Sequence, residues 1–195
     1  MQKVFVMYEQ LVAFIQQKIS VSQAALDTIL SYFKPMTIAK NEMLHINGQT
    51  GRRLYFVGKG CLRIYFINEV GQEATRHFSF ENQFATAMMH FMTGIDAGEY
   101  IQAAERTTLL YISHEDFYHL LATIPQWEKF YRHYLEFANV INTRRLMSFL
   151  TQDATEKYKQ LLADNPTVVQ RLPNKLVASY LHISQETLSR LKSKL

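Results

Sequence analysis

The densest set of side chains suited to recognition chemistry lies near the C-terminus: Gln185, Glu186, Ser189, Arg190, Lys192 and Lys194. An arginine fork fits the O6/N7 edge of guanine, glutamine pairs with the N6/N7 edge of adenine, and glutamate accepts from cytosine N4. Serine and lysine suit phosphate oxygens and base edges alike. Side chains able to do covalent chemistry are sparse by comparison. Cys61 is the only cysteine, which excludes an intramolecular disulfide, a thiolate metal cage and a four-cysteine iron–sulfur site. The seven histidines, His45, His77, His90, His114, His119, His133 and His182, are dispersed without an HxH pair or an HExxH helix, so no metal site is expected. No GxSxG, Walker or Rossmann glycine pattern occurs, and no enzymatic activity is expected.

Two short helices joined by a tight turn would have to position the recognition set. In Asn174–Leu181, Leu176, Val177, Ala178 and Leu181 fall on one apolar face. Ser184 then offers an N-cap, and Leu188 and Leu191 give the second helix its inward side. Gln185, Glu186, Ser189, Arg190 and Lys192 are left outward. This is the pattern of a helix-turn-helix, whose second helix enters the DNA major groove. Ala178 supplies the small residue where the helices cross. His182 takes the turn position that favours φ > 0, where glycine is more usual. The same pattern also fits a helical hairpin that only closes a core.

Charge points to the same end of the chain. The formal net charge is +4 over 195 residues. Residues 1–170 hold equal numbers of acidic and basic side chains, whereas residues 171–195 carry Arg171, Lys175, Arg190, Lys192 and Lys194 against Glu186 alone. A basic excess confined to one end favours a polyanionic partner there. With 48% hydrophobic and 19% charged residues the chain is globular rather than disordered. The N-terminal stretch does not read as a signal peptide, and no apolar run approaches the ~20 residues of a membrane span. A cytoplasmic protein with no membrane partner is expected.

Read in order, residues 8–34 look helical, with Leu11, Phe14 and Ile15, then a cap at Ser20 or Ser22, then Leu26, Ile29, Leu30 and Phe33. Pro35 ends that region. From Met36 to Ser113 short β-rich runs follow, the clearest being 54–57, 61–67, 74–80, 100–103 and 108–112. The second and third read as a hairpin around Asn68–Gly71, and the whole as a sandwich or barrel. Ser113 opens a helix at 117–122, with the acids of His114-Glu115-Asp116 near its positive end. Pro125 starts a longer helix in which Trp127, Phe130, Tyr134, Phe137 and Ile141 alternate three and four apart, an a/d seam for a partner helix of the same fold or of a second subunit. A helix at 154–163 ends before Pro166.

This order of parts resembles the transcription regulators typified by the cyclic AMP receptor protein and the fumarate–nitrate regulator, over nearly the whole chain. The most specific match is Ile183–Arg190, similar to the family's recognition helix; Gly58 and Gly60 between strands resemble its glycine-flanked β-roll turn. The resemblance implies an α+β fold: a β-roll domain with N-terminal helices over 1–125, a dimerisation helix over 126–150 and a helix-turn-helix domain over 151–195. It implies a homodimer through Trp127, Phe130, Tyr134, Phe137 and Ile141, binding palindromic duplex DNA through Gln185, Glu186 and Arg190. RNA polymerase is implied as a further partner. Arginine is common in the family at the place of Gln185, so a different half-site is expected. The chain ends at Leu195 without the β-hairpin wing that often follows this helix, and affinity is expected to lean more on the dimer.

The effector side departs from the family's pattern. In the cyclic-nucleotide binders a Gly-Glu pair and an Arg-Ser pair hold the ribose and cyclic phosphate; here their places fall in Ala85–Met88 and near Ala97-Gly98. The first place has no acid and the second no cation, and the nearby Asp96 and Glu99 would repel a phosphate. No cofactor is required on this reading, and cyclic AMP is disfavoured. The candidate pocket comprises Met88, Met89, Gly98 and Glu99 with Asn142 and Thr143 from the long helix, for an unidentified small-molecule effector. Methionines at 88, 89 and 92 with Phe91 would equally fill the space themselves. A small-molecule- or metal-binding β-barrel without DNA function is the competing expectation.

Overall fold

A computed structural model describes residues 2–46 and 51–194. The chain divides into two compact units, residues 1–64 with 79–136, and residues 65–78 with 137–195. Among the described residues, eight strands form two four-stranded sheets, ordered β1-β8-β3-β6 and β2-β7-β4-β5. The strands are β1 (Lys34–Ile38), β2 (Met43–His45), β3 (Arg53–Lys59), β4 (Leu62–Ile67), β5 (Glu73–Ser79), β6 (Phe84–Ala85), β7 (Glu99–Ala103) and β8 (Thr107–Ser113). The architecture is an α+β roll with flanking helices. β1 contains Pro35, yet pairs antiparallel with β8 along its length. Its place at a sheet edge explains this, because an edge strand has one side on which a missing N–H is tolerated.

In the first unit, α1 (Gln2–Gln16) and α2 (Gln23–Ser31) are separated where Ser22 caps α2, its hydroxyl accepting from the Ala25 N–H. Leu11 and Ile15 from α1 and Leu26 and Ile29 from α2 join Phe56 of β3, Leu110 and Ile112 of β8 and Phe117 in one buried cluster. Each such fully buried side chain contributes about 1.5–3 kcal/mol. A short helix, α3 (Met88–Thr93), follows β6 and ends at Gly94, whose left-handed φ of 74° lets its N–H close the turn on the His90 carbonyl. α4 (His114–Thr123) is capped by Ser113, whose hydroxyl accepts from the Asp116 N–H.

α5 (Pro125–Thr151) runs 27 residues and passes from the first unit into the second. The second unit holds the turn end of the β4–β5 hairpin, where the Asn68 side chain accepts from the Val70 and Gln72 N–H groups. It also holds α6 (Ala154–Asp164), α7 (Pro166–Arg171), α8 (Asn174–Leu181) and α9 (Gln185–Lys194). α6 begins with a reciprocal capping box between Asp153 and Glu156. Pro166 stands in the first turn of α7, a helix not anticipated between 163 and 174 although proline suits that position.

Candidate nucleic-acid interface and effector cavity

The α8–α9 pair is built from the residues that its sequence offers for the purpose. Val177, Ala178 and Leu181 of α8 and Leu188 and Leu191 of α9 are buried. His182 adopts φ 56°, ψ 46°, the left-handed conformation that ends α8, and the N–H groups of His182 and Ile183 both reach the Ala178 carbonyl. Ser184 caps α9, its hydroxyl accepting from the Thr187 N–H at 3.1 Å.

Gln185, Glu186, Ser189, Arg190 and Lys194 are exposed along the outer face of α9. Hydrogen bonds from its own backbone N–H and from the Ser184 hydroxyl, with the Arg190 charge, hold the Glu186 carboxyl below its ordinary range, so it is an acceptor at neutral pH. Arg190 makes one long bond, 3.4 Å, to the Thr187 hydroxyl. Lys192 is half-buried, and its ammonium donates to the Asn174 side chain at 2.6 Å, across to the start of α8.

Behind this face the second unit fixes α8 to the hairpin. The Thr75 N–H donates to the Ser179 hydroxyl at 3.1 Å, and that hydroxyl donates to the Glu73 carbonyl at 2.8 Å. Arg145 of α5 donates to the carbonyls of Thr75 (3.2 Å) and Tyr180 (2.9 Å) and stacks on the Tyr180 ring. The His182 ring meets Phe149 edge-on at 4.6 Å. Burial, Arg145 and Lys157 lower its pKa, against a hydrogen bond to the Thr75 backbone that raises it. His77 on β5 is pushed down to about 4 by burial and by Arg76 and Arg145.

The apolar seam of α5 requires a correction. Trp127 and Phe130 are fully enclosed by their own chain, Trp127 against Phe33 and Phe117, and Phe130 against Phe14. They have no surface left to offer a second subunit. Tyr134 packs edge-on to Phe84. Exposure begins beyond it, with Phe137 at 59% and Ile141, then Val140, Leu146, Met147 and, at 75%, Leu150.

A tight surface cleft lies in the first unit. His45, Arg52, Arg53, Tyr55, Thr86 and His90 line its polar part, and Ala87, Phe91 and Ile101 its apolar part. Met88, Met89, Gly98 and Glu99, expected to form an effector pocket with Asn142 and Thr143, do not line this cleft. Met89 is exposed, and the buried Glu99 carboxylate accepts from the Met89 N–H at 3.2 Å. Asn142 and Thr143 are exposed on the second unit's part of α5. The two cations that line the cleft, Arg52 and Arg53, lie just before and at the start of β3. Arg52 donates to the carbonyls of Phe91 (2.8 Å) and Met92 (2.9 Å) and meets His114, which fastens the end of α3 to the start of α4. Arg53 lies 4.7 Å over the Tyr111 ring. The His45 and His90 rings lie 4.8 Å apart at a tilt of 36°. Among the described residues no group of three or more His, Cys, Asp or Glu is placed to hold a metal ion, and no helix is long and apolar enough to cross a membrane.

Residues 35–124 match the family described as "Cyclic nucleotide-binding domain". The sequence has no match among curated proteins. Solved structures share the fold. The c-di-GMP-responsive global regulator CLP of Xanthomonas campestris is 16% identical with a TM-score of 0.72, covering 89% of this chain and 91% of its own. FixK2 of Bradyrhizobium japonicum is 15% identical with a TM-score of 0.70, covering 84% of each chain. A putative Crp/Fnr-family transcriptional regulator of Eubacterium rectale is 16% identical with a TM-score of 0.68, covering 88% of this chain and 82% of its own. Residues 35–124 are thus similar to cyclic nucleotide-binding domains, and the chain shares the fold of these regulators.

Proposed function

We propose that this chain, a cyclic nucleotide-binding-type β-roll joined to a C-terminal helix-turn-helix, is a DNA-binding transcription regulator without enzymatic activity. The observation that carries this reading is α9. Its apolar side is buried, its base-reading types Gln185, Glu186 and Arg190 are exposed together, and the left-handed His182 sets the turn that presents them. The regulators that share the fold across most of the chain support it.

The chain acts as a homodimer in the cytoplasm, with the exposed stripe from Phe137 to Leu150 as the contact between copies. Large apolar side chains exposed along one long helix are costly to leave in water. Pairing two copies about a two-fold axis would set two α9 helices into successive major grooves ~34 Å apart, and the target would be a palindrome. RNA polymerase is the further partner expected of a regulator, and the β-roll is its sensing part. Selection from a pool of random duplexes tests this reading directly. It should enrich a two-fold symmetric sequence with half-sites about one helical turn apart. Enrichment of no sequence over the starting pool would refute it.

A further inference from the structure

We propose that Met92 is a site of oxidative modification: its thioether takes one oxygen atom from a peroxide, and the sulfoxide releases α3 from α4 and α5. The inference lies within the first unit and does not depend on DNA binding.

The sulfur stands where three helices meet. The Tyr118 hydroxyl of α4 donates to it at 3.4 Å, and the Tyr131 hydroxyl of α5 at 3.5 Å. A thioether is a weak acceptor, yet two phenols near the surface are both turned to it. Burial and the neighbouring Tyr118 hold the Tyr131 phenol above its ordinary pKa, so its proton stays on at neutral pH. Met92 itself is 39% exposed, which leaves a small oxidant free to reach the sulfur.

Two phenol protons beside an accessible sulfur suit oxygen transfer. A sulfur lone pair attacks one oxygen of hydrogen peroxide; the S–O bond forms as the O–O bond breaks. The departing hydroxide takes a proton from the adjacent phenol and leaves as water. The phenolate then recovers a proton from the hydroxyl now on sulfur. The thioether is oxidised by two electrons to the sulfoxide, and the peroxide is reduced. A positioned proton donor of this kind lowers the barrier by stabilising the leaving oxygen.

The product changes what holds α3. Phe91 anchors the inner side of this helix, its ring 5.4 Å from that of Phe117. Met92 holds the outer side through the two phenols. A sulfoxide turns a flexible apolar side chain into a polar one. Its oxygen occupies the space between sulfur and phenol, so the hydroxyls must draw back or α3 must lift away.

The test treats the full chain with hydrogen peroxide and follows each methionine by peptide mass spectrometry. Met89 and Met147, at 52% and 59% exposed, calibrate access alone. Met92 should oxidise at least as fast as either. Joint Tyr118→Phe and Tyr131→Phe substitution should slow Met92 about tenfold while Met89 keeps its rate, less than a positioned acid usually gives because water substitutes at a surface site. Hydrogen exchange across 88–94 should quicken in the oxidised parent chain and return on treatment with methionine sulfoxide reductases; in a Met92→Leu chain, peroxide should leave it unchanged. Three results would overturn the proposal: Met92 oxidises more slowly than both reference methionines, the doubly substituted chain oxidises Met92 at the parent rate, or exchange across 88–94 ignores oxidation. The last needs only the parent chain and decides the matter should the doubly substituted chain lose its folded circular dichroism.

Discussion

The Arg145 guanidinium lies 3.7 Å over the ring of Tyr180 and donates to the carbonyl oxygen of the same residue at 2.9 Å. A second bond from the same nitrogen reaches Thr75 on the hairpin at 3.2 Å. One side chain of α5 thus ties the hairpin to the last turn of α8. Burial pushes the Arg145 pKa down, but arginine stays charged at any ordinary pH.

Replacing Arg145 by Met should therefore destabilise the second unit by about 2–4 kcal/mol, the combined size of a desolvated cation–π contact and a charged hydrogen bond. Arg145→Lys should recover only part of this, since a single ammonium lacks the planar fork that stacks and donates together. Urea unfolding followed by circular dichroism gives the number. A change below about 1 kcal/mol would show that the tie is incidental.

Acid should loosen the same region. Burial and the neighbouring arginines depress the His77 pKa from 6.5 to about 4, and that of His182 is lowered too. His77 stays neutral in the folded chain down to about pH 4, and His182 takes up its proton less readily than when unfolded, whereas the unfolded chain takes up protons below pH 6.5, so stability rises with pH across the window from about 4 to 6.5. His77 contributes at most about 3 kcal/mol to that rise. Unfolding free energies measured across this window should show the slope, and His77→Gln should flatten it. A stability that increases on acidification would contradict the assignment.

Assembly and folding should separate along α5. Phe137→Asp and Leu150→Asp place charges on the exposed stripe and should yield monomers in sedimentation equilibrium without loss of helix content. Trp127→Ala should instead cost about 3–5 kcal/mol of stability through the cavity it leaves, with assembly of the folded fraction unchanged. A Phe137→Asp protein that sediments as the parent does would remove the stripe as the contact.

The split within α5 shows what periodicity can and cannot reveal. Spacings of three and four run unbroken from Trp127 to Ile141, and they mark one helix face correctly. They carry no sign of what covers that face, which changes from the chain's own core to solvent between Tyr134 and Phe137. Elements with local chemistry were legible: Ser22, Ser113 and Ser184 each mark a cap that the structure contains. β1 escaped notice because Pro35 reads as a break, and only its edge position makes that proline harmless. β6 spans two residues, and α3 has no side-chain cap at Ala87 to announce it. The cleft was the least legible part. His45, Arg52 and His90 come from β2, the approach to β3 and α3, and their meeting is a property of tertiary packing that no local spacing encodes.

On the reading face, Arg190→Ala should cost about 1–3 kcal/mol on the selected site and relax base preference at one position of each half-site. Lys192→Ala should weaken all duplexes by a similar, smaller factor. Its bond to Asn174 leaves two ammonium hydrogens for phosphate and joins α9 to α8. Competition binding with single-base variants of the site distinguishes the roles, and a sequence-dependent loss for Lys192→Ala would reverse them.

The central claim, that α9 and its basic surroundings bind duplex DNA, is tested most directly by the salt dependence of binding. Fluorescence anisotropy of a labelled duplex over a range of salt concentrations should give a straight log–log plot falling by ~0.9 for each phosphate neutralised. With Arg190, Lys192 and Lys194 on each of two copies, a steep slope of several units is predicted. A slope near zero, or no binding at low salt, would contradict the account.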